Sequence, residues 1–479
     1  MARSAIPRVA IVGAGASGVL LASALVRPGP QFDVVLVDPR PGRGTAWGGL
    51  DEHHLAATPV GALSLDAACP SGFRDWLNVY RFRPEGWSNA DFAPRRLFGD
   101  YLDHRLRTLA GRTPGLGSTR VIQARALAAD RDGDGWSLRL TGGERVEADV
   151  LVLATGLARP RPLLFHGRDA VEAHVQDDPW DDSALRGVPD GDVLLVGTGL
   201  TAADVAAALW RRRPDTRIVA VSGHGLLPRV HAEAGAAAPA FAPPYPTTAR
   251  EAFAKLSAAG FVEGEAAVRP GVFTGIEAAG EALWAALPDE ERAFFLRHFR
   301  PYWNAERHRL PPELARTLDA ALADDRLEIV RGRVAEAKPL KDGAGARVAL
   351  RAADGPRALA VGRIVNCTGP EGDPFRSRNP LLLDLLARGV AAADPLGLGL
   401  HVGEDLGVLG AQGETAGRLY ALGPPTQGRF LEAATLPAIR SQAERLAAVI
   451  GGRTSVRAAA PIAAAEPVRP RPRLVAERT

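Results

Sequence analysis

Val9-Ala-Ile-Val-Gly13-Ala-Gly15-Ala-Ser-Gly18-Val-Leu-Leu-Ala-Ser-Ala-Leu25 joins a short apolar run, a Gly-x-Gly-x-x-Gly triplet and a stretch of small and aliphatic residues at helical spacing. The first part reads as a buried strand and the last as a helix. A second apolar run, Asp33-Val-Val-Leu-Val37, ends in Asp38, 20 residues past Gly18. Gly13 suits the tight strand-to-helix turn, Gly15 lets a pyrophosphate approach the backbone, and Gly18 lets helix and strand pack closely. The helix N-terminus faces the phosphates, and Asp38 is placed to accept a ribose hydroxyl. A chain with 52 glycines produces such triplets by chance. Here strand, helix and acid lie in register, which an ordinary glycine-bearing βα turn does not require, so the stretch predicts a dinucleotide-binding unit.

The pattern recurs. Asp192-Val-Leu-Leu-Val-Gly197-Thr-Gly199-Leu-Thr201-Ala202-Ala-Asp204-Val is a second strand, glycine turn and helix, with Ala202 in the third glycine's place. Another strand, Arg217-Ile-Val-Ala-Val-Ser222, puts Ser222 where the first unit has Asp38. Each unit continues through strand-rich sequence, one to Ala154-Thr155-Gly156 and the other to Cys367-Thr368-Gly369. A buried strand ending in Thr-Gly can bring backbone N–H groups to a cofactor. Asp38 would accept a 2′-hydroxyl and repel a 2′-phosphate. Ser222 removes that repulsion, and His224 and Arg229 stand near enough in sequence to pair with a phosphate. The first unit is therefore assigned to FAD and the second to a nicotinamide cofactor, NADPH ahead of NADH.

Between these landmarks, Pro39 to Gly48 is a turn-rich loop in which Arg43 could meet a phosphate. A short helix is expected around Phe73–Leu77, and a longer one carries Leu97, Tyr101, Leu102, Leu106 and Leu109 on one face. Strand-like runs follow at Thr119–Ala129, Trp136–Thr141 and Arg145–Leu153. Residues 235–325 interrupt the second unit with an Ala/Pro run (Gly235–Pro246), helices around Ala249–Ala259 and Glu277–Leu287, and a segment from Arg292 to Arg309 that mixes aromatic and basic side chains. Such a mixture would serve a cap that binds an anionic substrate, and amphipathic packing with a solvated basic face explains it equally well. Late in the chain, Arg418-Leu-Tyr-Ala-Leu-Gly423 is a short strand and glycine turn before a last helix to Ile450. That helix would return to the first unit with its N-terminus toward the flavin.

The fold class is thus α/β, with two Rossmann-like dinucleotide-binding domains and a helical insertion in the second. The expected organisation is an FAD-binding first part (1–165), an NAD(P)-binding domain (190–355) with insertion 235–325, an FAD-binding return segment (360–450) and a disordered Arg/Pro/Ala tail (452–479).

Composition narrows the function classes. The net charge of +3 is smaller than the +4 carried by six arginines and two glutamates between Gly452 and Thr479. With no basic, aromatic-interleaved face, nucleic acid is not an expected partner. No apolar run approaches the ~20 residues of a membrane helix. The N-terminus leads directly into the first strand, so no signal peptide is expected, and a content of two cysteines adds the expectation of a reducing, cytoplasmic compartment. Cys69 and Cys367, far apart, exclude a disulfide framework, a zinc cluster and a Cys-x-x-Cys redox pair.

Taken together, the chain resembles the bacterial FAD/NAD(P)-binding protein family, related to the class B flavin monooxygenases and N-hydroxylases, from Pro7 to about Val449. The resemblance rests on Gly13–Gly18, Gly42-Arg-Gly-Thr-Ala-Trp47, Pro94-Arg-Arg-Leu-Phe-Gly-Asp-Tyr-Leu102, Gly197–Asp204, His224-Gly-Leu-Leu-Pro-Arg229, Phe299-Arg-Pro-Tyr-Trp303 with His308, and Asn366-Cys-Thr-Gly-Pro370. It implies an FAD-dependent oxidoreductase taking hydride from NAD(P)H, with a flavin monooxygenase acting on a small nucleophilic substrate favoured. A reductase or dehydrogenase without oxygenation, or a redox-sensing flavoprotein, are the alternatives. The chain departs from the oxygenases in two places. Ala57, in His53-His54-Leu-Ala-Ala57-Thr58, stands where an Asn is usual, and the Phe-x-Gly-x-x-x-His-x-x-x-Trp fingerprint is met only by Phe165-His-Gly167 with His174 and Trp180 displaced. Cofactor contacts are expected at Gly13, Gly15, Gly18, Asp38, Arg43, Thr155, Gly156, Gly197, Gly199, Thr201, Ser222, Arg229, Thr368, Gly369 and Gly423.

Overall fold

The structure, a computed structural model, describes residues 6–27, 31–48, 53–112, 117–181, 191–213, 215–231, 244–258 and 280–452. The expected Ala/Pro run Gly235–Pro246 falls mostly outside these residues, as do 277–279 of the second insertion helix and 453–479 of the tail.

Two open sheets dominate. The first has seven strands: β1 (Arg8–Val12) and β2 (Phe32–Val37) lie at its centre, β4 (Gly117–Ile122) and β3 (Gly111–Arg112) complete one side, and β8 (Val150–Leu153), β16 (Thr415–Ala421) and β15 (Gly407–Leu409) the other. From β16 through β8, β1 and β2 to β4 the pairing is parallel. All four residues of β8 are buried, the signature of a parallel strand covered on both faces. The chain thus returns after residue 400 to add two strands to the sheet with which it began. The final helix, Leu436–Ile450, packs on the helix Ala16–Leu25.

The second sheet is built from β9 (Val175–Gln176), β10 (Asp192–Val196), β11 (Ile218–Ser222), β12 (Leu327–Pro339), β13 (Ala346–Ala352) and β14 (Gly355–Asn366). β14, β10, β11 and the first part of β12 run parallel, whereas β13 joins β12 to β14 in antiparallel fashion. The first unit carries the counterpart of this meander as a separate three-stranded sheet of β5 (Ala126–Asp132), β6 (Gly135–Leu140) and β7 (Arg145–Ala148). In the second unit the long strands β12 and β14 serve both the meander and the parallel layer.

Several expected boundaries shift. The run Thr119–Ala129 breaks into β4 and β5, and Arg145–Leu153 breaks at Asp149, whose Oδ2 accepts the Arg8 N–H at 2.8 Å. β14 stays in the second sheet to Asn366, so residues 360–366, assigned to the returning segment, belong to the second unit. The cause is pairing: Val365 and Asn366 lie opposite Leu195 and Val196. β9 likewise joins that sheet ahead of residue 190. The helix Pro312–Ala323 lies within the sequence assigned to the insertion, but Leu314, Ala315 and Leu318 pack in one core with Val205 and Leu209 of the helix Leu200–Arg212. It is the crossover that returns the chain from β11 to β12. The insertion proper has its own small core of Ala249, Trp284, Leu287, Phe295 and Trp303.

Candidate functional site

The two glycine turns are built alike. Gly13 and Gly197 have φ of +112° and +123°, a region that L side chains rarely adopt. A Cβ on Gly13 would lie 2.1 Å from the Ala154 carbonyl oxygen, and one on Gly197 would lie 2.3 Å from that of Cys367. The Gly13 N–H donates to Val37 O at 2.9 Å, and the Gly197 N–H donates to Val221 O at 2.8 Å. Ala154 N–H donates to Val12 O at 2.9 Å, and Cys367 N–H to Val196 O at 2.8 Å. In each unit the first glycine therefore sits between two strand ends, and the Thr-Gly that follows one of them is delivered beside the turn. Gly15 and Gly199 then cap the helices Ala16–Leu25 and Leu200–Arg212 with extended backbones.

Both turns open on one cavity of about 2150 Å³. Gly13, Gly15, Asp38, Arg43, Thr155 and Gly156 line it from the first unit, and Gly197, Gly199, Thr201, Ser222, Thr368 and Gly369 from the second. Three expected contacts do not line it. Gly18 is buried in its helix, where a Cβ would lie 2.0 Å from Gly13 O, so its task is packing. Gly423 fixes the returning segment: a Cβ there would lie 2.4 Å from Ser17 Oγ, and its N–H donates to Gln442 Oε1 at 2.8 Å. Pro424 and Gln427, just after it, do line the cavity. Arg229 turns away to Glu306, Nε to Oε1 at 2.9 Å, so it is not the cavity cation that its sequence position suggested. The buried carboxylate of Glu306 captures it.

The charged and polar wall groups are largely engaged. Asp38 accepts the Ala14 N–H at 2.9 Å and the Arg40 N–H at 2.7 Å, which leaves lone pairs on both oxygens for a further donor. Arg43 lies over the cavity but is paired with Asp100 at 2.5 Å. Thr198 Oγ1 donates to Leu226 O at 2.5 Å, so the hydroxyl of Ser222 donates to Thr198 Oγ1 at 2.9 Å while accepting the Gly225 N–H at 3.0 Å. Ser222 holds the loop that carries His224, whose ring meets Tyr302 of the insertion edge-on at 5.6 Å. Beyond that loop, Arg333 on β12 lines the cavity with its Nε 3.6 Å from where a Gly223 Cβ would stand. Sequence order concealed its place there, because β12 begins more than a hundred residues after Ser222. Asn366, fully buried, donates from Nδ2 to Arg161 O at 2.8 Å and accepts from Thr368 Oγ1 at 2.7 Å, fixing the second Thr-Gly. Burial pushes the Cys367 thiol up, so it stays protonated and unreactive. The N-terminus of the last helix also reaches the cavity, through Ala434, Thr435 and Leu436.

The two units are joined across the cavity. Arg95 pairs with buried Asp204 and lies 5.0 Å over the Trp180 ring, which in turn meets buried His54 edge-on at 5.7 Å. His231 Nε2 donates to Ala57 O at 2.8 Å. Burial lowers the pKa of His231, so its ring is neutral at neutral pH. Arg307 of the insertion pairs with Glu432 of the returning segment at 3.0 Å, and Trp284 Nε1 donates to Gly428 O at 2.9 Å. Among the described residues no group of three or more His, Cys, Asp or Glu is arranged to hold a metal, and no helix is long and apolar enough to cross a membrane.

Two Rossmann-like units, one interrupted by the other and both open to a shared cavity, define a protein of the two-dinucleotide-binding-domain class. Residues 10–158 match the family described as FAD-NAD(P)-binding. Solved structures share the whole architecture at low identity. The ornithine N-hydroxylase of Kutzneria sp. 744 is 20% identical with a TM-score of 0.56, over 94% of this chain and 99% of that one. The L-lysine 6-monooxygenase of Pseudomonas syringae is 17% identical with a TM-score of 0.62, over 93% and 99%. The cadaverine monooxygenase of Erwinia amylovora, solved bound to FAD, is 14% identical with a TM-score of 0.65, over 94% and 95%. No curated protein sequence matches the chain.

Proposed function

We propose that the chain is an FAD-dependent monooxygenase that draws electrons from NADPH and hydroxylates a small nucleophilic substrate, an amine. The observation that carries this reading is the single cavity onto which both glycine turns open. A space of about 2150 Å³ is roughly twice the upper end of an ordinary small-ligand pocket, as two dinucleotides and a substrate require. The cradle fits: a Cβ at Gly15 would stand 3.3 Å from Gly44 Cα, so the two backbones meet at the cavity wall with no side chain between them, and at Gly199 nothing stands within 4 Å of a Cβ. Gly13, Gly15, Asp38, Arg43, Thr155 and Gly156 would hold FAD. Gly197, Gly199, Thr201, Ser222, Thr368 and Gly369 would hold NADPH, with Arg333 for the 2′-phosphate. The flavin supplies the redox chemistry and the activation of oxygen. The chain's own groups orient the two cofactors, exclude water through the insertion, and present the positive end of the Leu436–Ile450 helix to negative charge. The neighbours named as ornithine, lysine and cadaverine oxygenases support the amine as substrate class.

One observation favours a reductase without oxygenation. At Ala57 there is no side-chain amide, and the backbone carbonyl there receives His231. A single experiment separates the readings: FAD-loaded protein is mixed with NADPH and a set of primary amines while oxygen and NADPH are followed together. Oxygen consumption that yields a hydroxylated amine supports the monooxygenase. Flavin reduction without amine oxidation supports the reductase, and a flavin that no nicotinamide bleaches sinks both.

A further inference from the structure

Four arginines gather near the cavity, Arg229 just before the insertion and Arg300, Arg307 and Arg309 within it, and two acids, Glu306 and Glu432, face them. Glu306 takes Arg229 and lies beside Arg309, and Glu432 takes Arg307. Arg300 is left over. It lines the cavity, is half-buried, and has no acidic or hydrogen-bonding partner among the described residues. It is also the first residue of the helix Arg300–Arg307, entered directly from the helix Asp289–His298 through Phe299. Desolvation lowers its pKa with no carboxylate to offset the effect. A partly desolvated guanidinium without a partner is costly unless an anion comes to it.

Two further side chains share its helical face. Asn304 and His308 follow at four-residue intervals, both line the cavity, and neither side chain has a hydrogen-bond partner among the described residues. Burial lowers the His308 pKa against the pull of Glu432, so the ring offers one donor and one acceptor and no charge. Leu296, Trp303 and Leu431 supply apolar surface alongside.

We infer that the stripe Arg300–Asn304–His308 is a substrate subsite for a small organic acid, its carboxylate on Arg300 and Asn304 and a neutral amine or hydroxyl of the same molecule on His308. This rests on the proposed monooxygenase reading and adds the acidic group to the substrate. Bidentate recognition of a carboxylate is what a guanidinium fork does and an ammonium cannot reproduce.

The test is thermal unfolding and flavin absorbance of the FAD-loaded protein with ω-amino acids of three to six carbons, each compared with its diamine. At least one acid is expected to raise Tm where the matching diamine does not. Arg300→Met should raise that acid's Kd at least tenfold, and Arg300→Lys should recover part of the loss. Without ligand, Arg300→Met should unfold no earlier than the parent, because it keeps the apolar stem and removes an unpaired charge; a structural arginine would give the opposite. The inference is overturned if no acid acts, if acids and diamines act alike, or if Arg300→Met responds as the parent does. It is also overturned if that variant loses NADPH affinity with acid binding intact. A preparation that takes up no FAD sinks the flavoprotein reading and leaves the acid-induced shift readable. A yellow protein bleached by NADPH, but indifferent to the acids, sinks this inference alone.

Discussion

Arg95, at the start of the helix Arg95–Leu109 in the first unit, closes an ion pair on Asp204, which is buried in the helix Leu200–Arg212 of the second. The pair joins the two units at the cavity that both glycine turns share. The arginine is held further by a bond from its Nε to Leu55 O at 3.2 Å and by the Trp180 ring beneath it. Removing one member strands the other: Asp204→Leu should cost about 3–5 kcal/mol in urea unfolding. Adding Arg95→Met should restore much of that loss, because two apolar groups leave no orphan charge. A double variant no more stable than the single one would show that the pair is not the clasp.

The glycines divide by what surrounds them. Gly13→Ala and Gly197→Ala each drive a Cβ into a backbone carbonyl at positive φ, and each should prevent folding of its unit, read as loss of soluble protein. At Gly199 nothing stands within 4 Å of a Cβ, and the backbone is extended. Gly199→Asp should therefore fold with Tm within a few degrees of the parent, bind FAD, and raise the NADPH KM at least tenfold. Unchanged kinetics there would remove the second turn from the cofactor site.

Two histidines set an acid limit. His231 and His308 are both held below their ordinary pKa of 6.5, chiefly by burial. Above 6.5 both states carry neutral rings, and the stability from burying them is fully present. As pH falls below 6.5 the unfolded chain binds protons that the folded chain refuses, so stability falls by at most about 1.4 kcal/mol per pH unit for each histidine until its folded pKa is reached. Tm should drop between pH 6.5 and 5, and the slope should flatten in His231→Gln with His308→Gln. An unaltered slope would assign the acid sensitivity to other groups.

What the sequence disclosed was local. Gly13, Gly15, Gly197 and Gly199 were legible because a strand, a turn and a helix lie within twenty residues, and backbone geometry dictates the residue type at each. The repetition of that unit, and the strand before Gly423, revealed the interrupted architecture. The partners were not legible. Arg229 follows Ser222 by seven residues and was a reasonable phosphate ligand, yet Glu306, 77 residues later, holds it. Arg95 meets Asp204 across 109 residues, and nothing in either neighbourhood signals the other. The crossover helix Pro312–Ala323 was absorbed into the insertion because its apolar period does not say which core it faces.

Arg333 should decide between the two nicotinamide cofactors. It projects from β12 onto the cavity wall beside Gly223, is exposed, and has no partner among the described residues. Ser222, one residue before Gly223, leaves no carboxylate at the β11 end to repel a 2′-phosphate. A guanidinium paired with a phosphate is worth about 1.5–3 kcal/mol through charge-assisted hydrogen bonds, of which solvent exposure removes a part. Arg333→Ala should thus raise the KM for NADPH roughly tenfold and leave that for NADH within a factor of two, because NADH has no group for it to hold. Adding Ser222→Asp should invert the preference by restoring the acid that Asp38 supplies in the first unit. Equal losses for both cofactors would move Arg333 from the 2′-phosphate to the pyrophosphate they share.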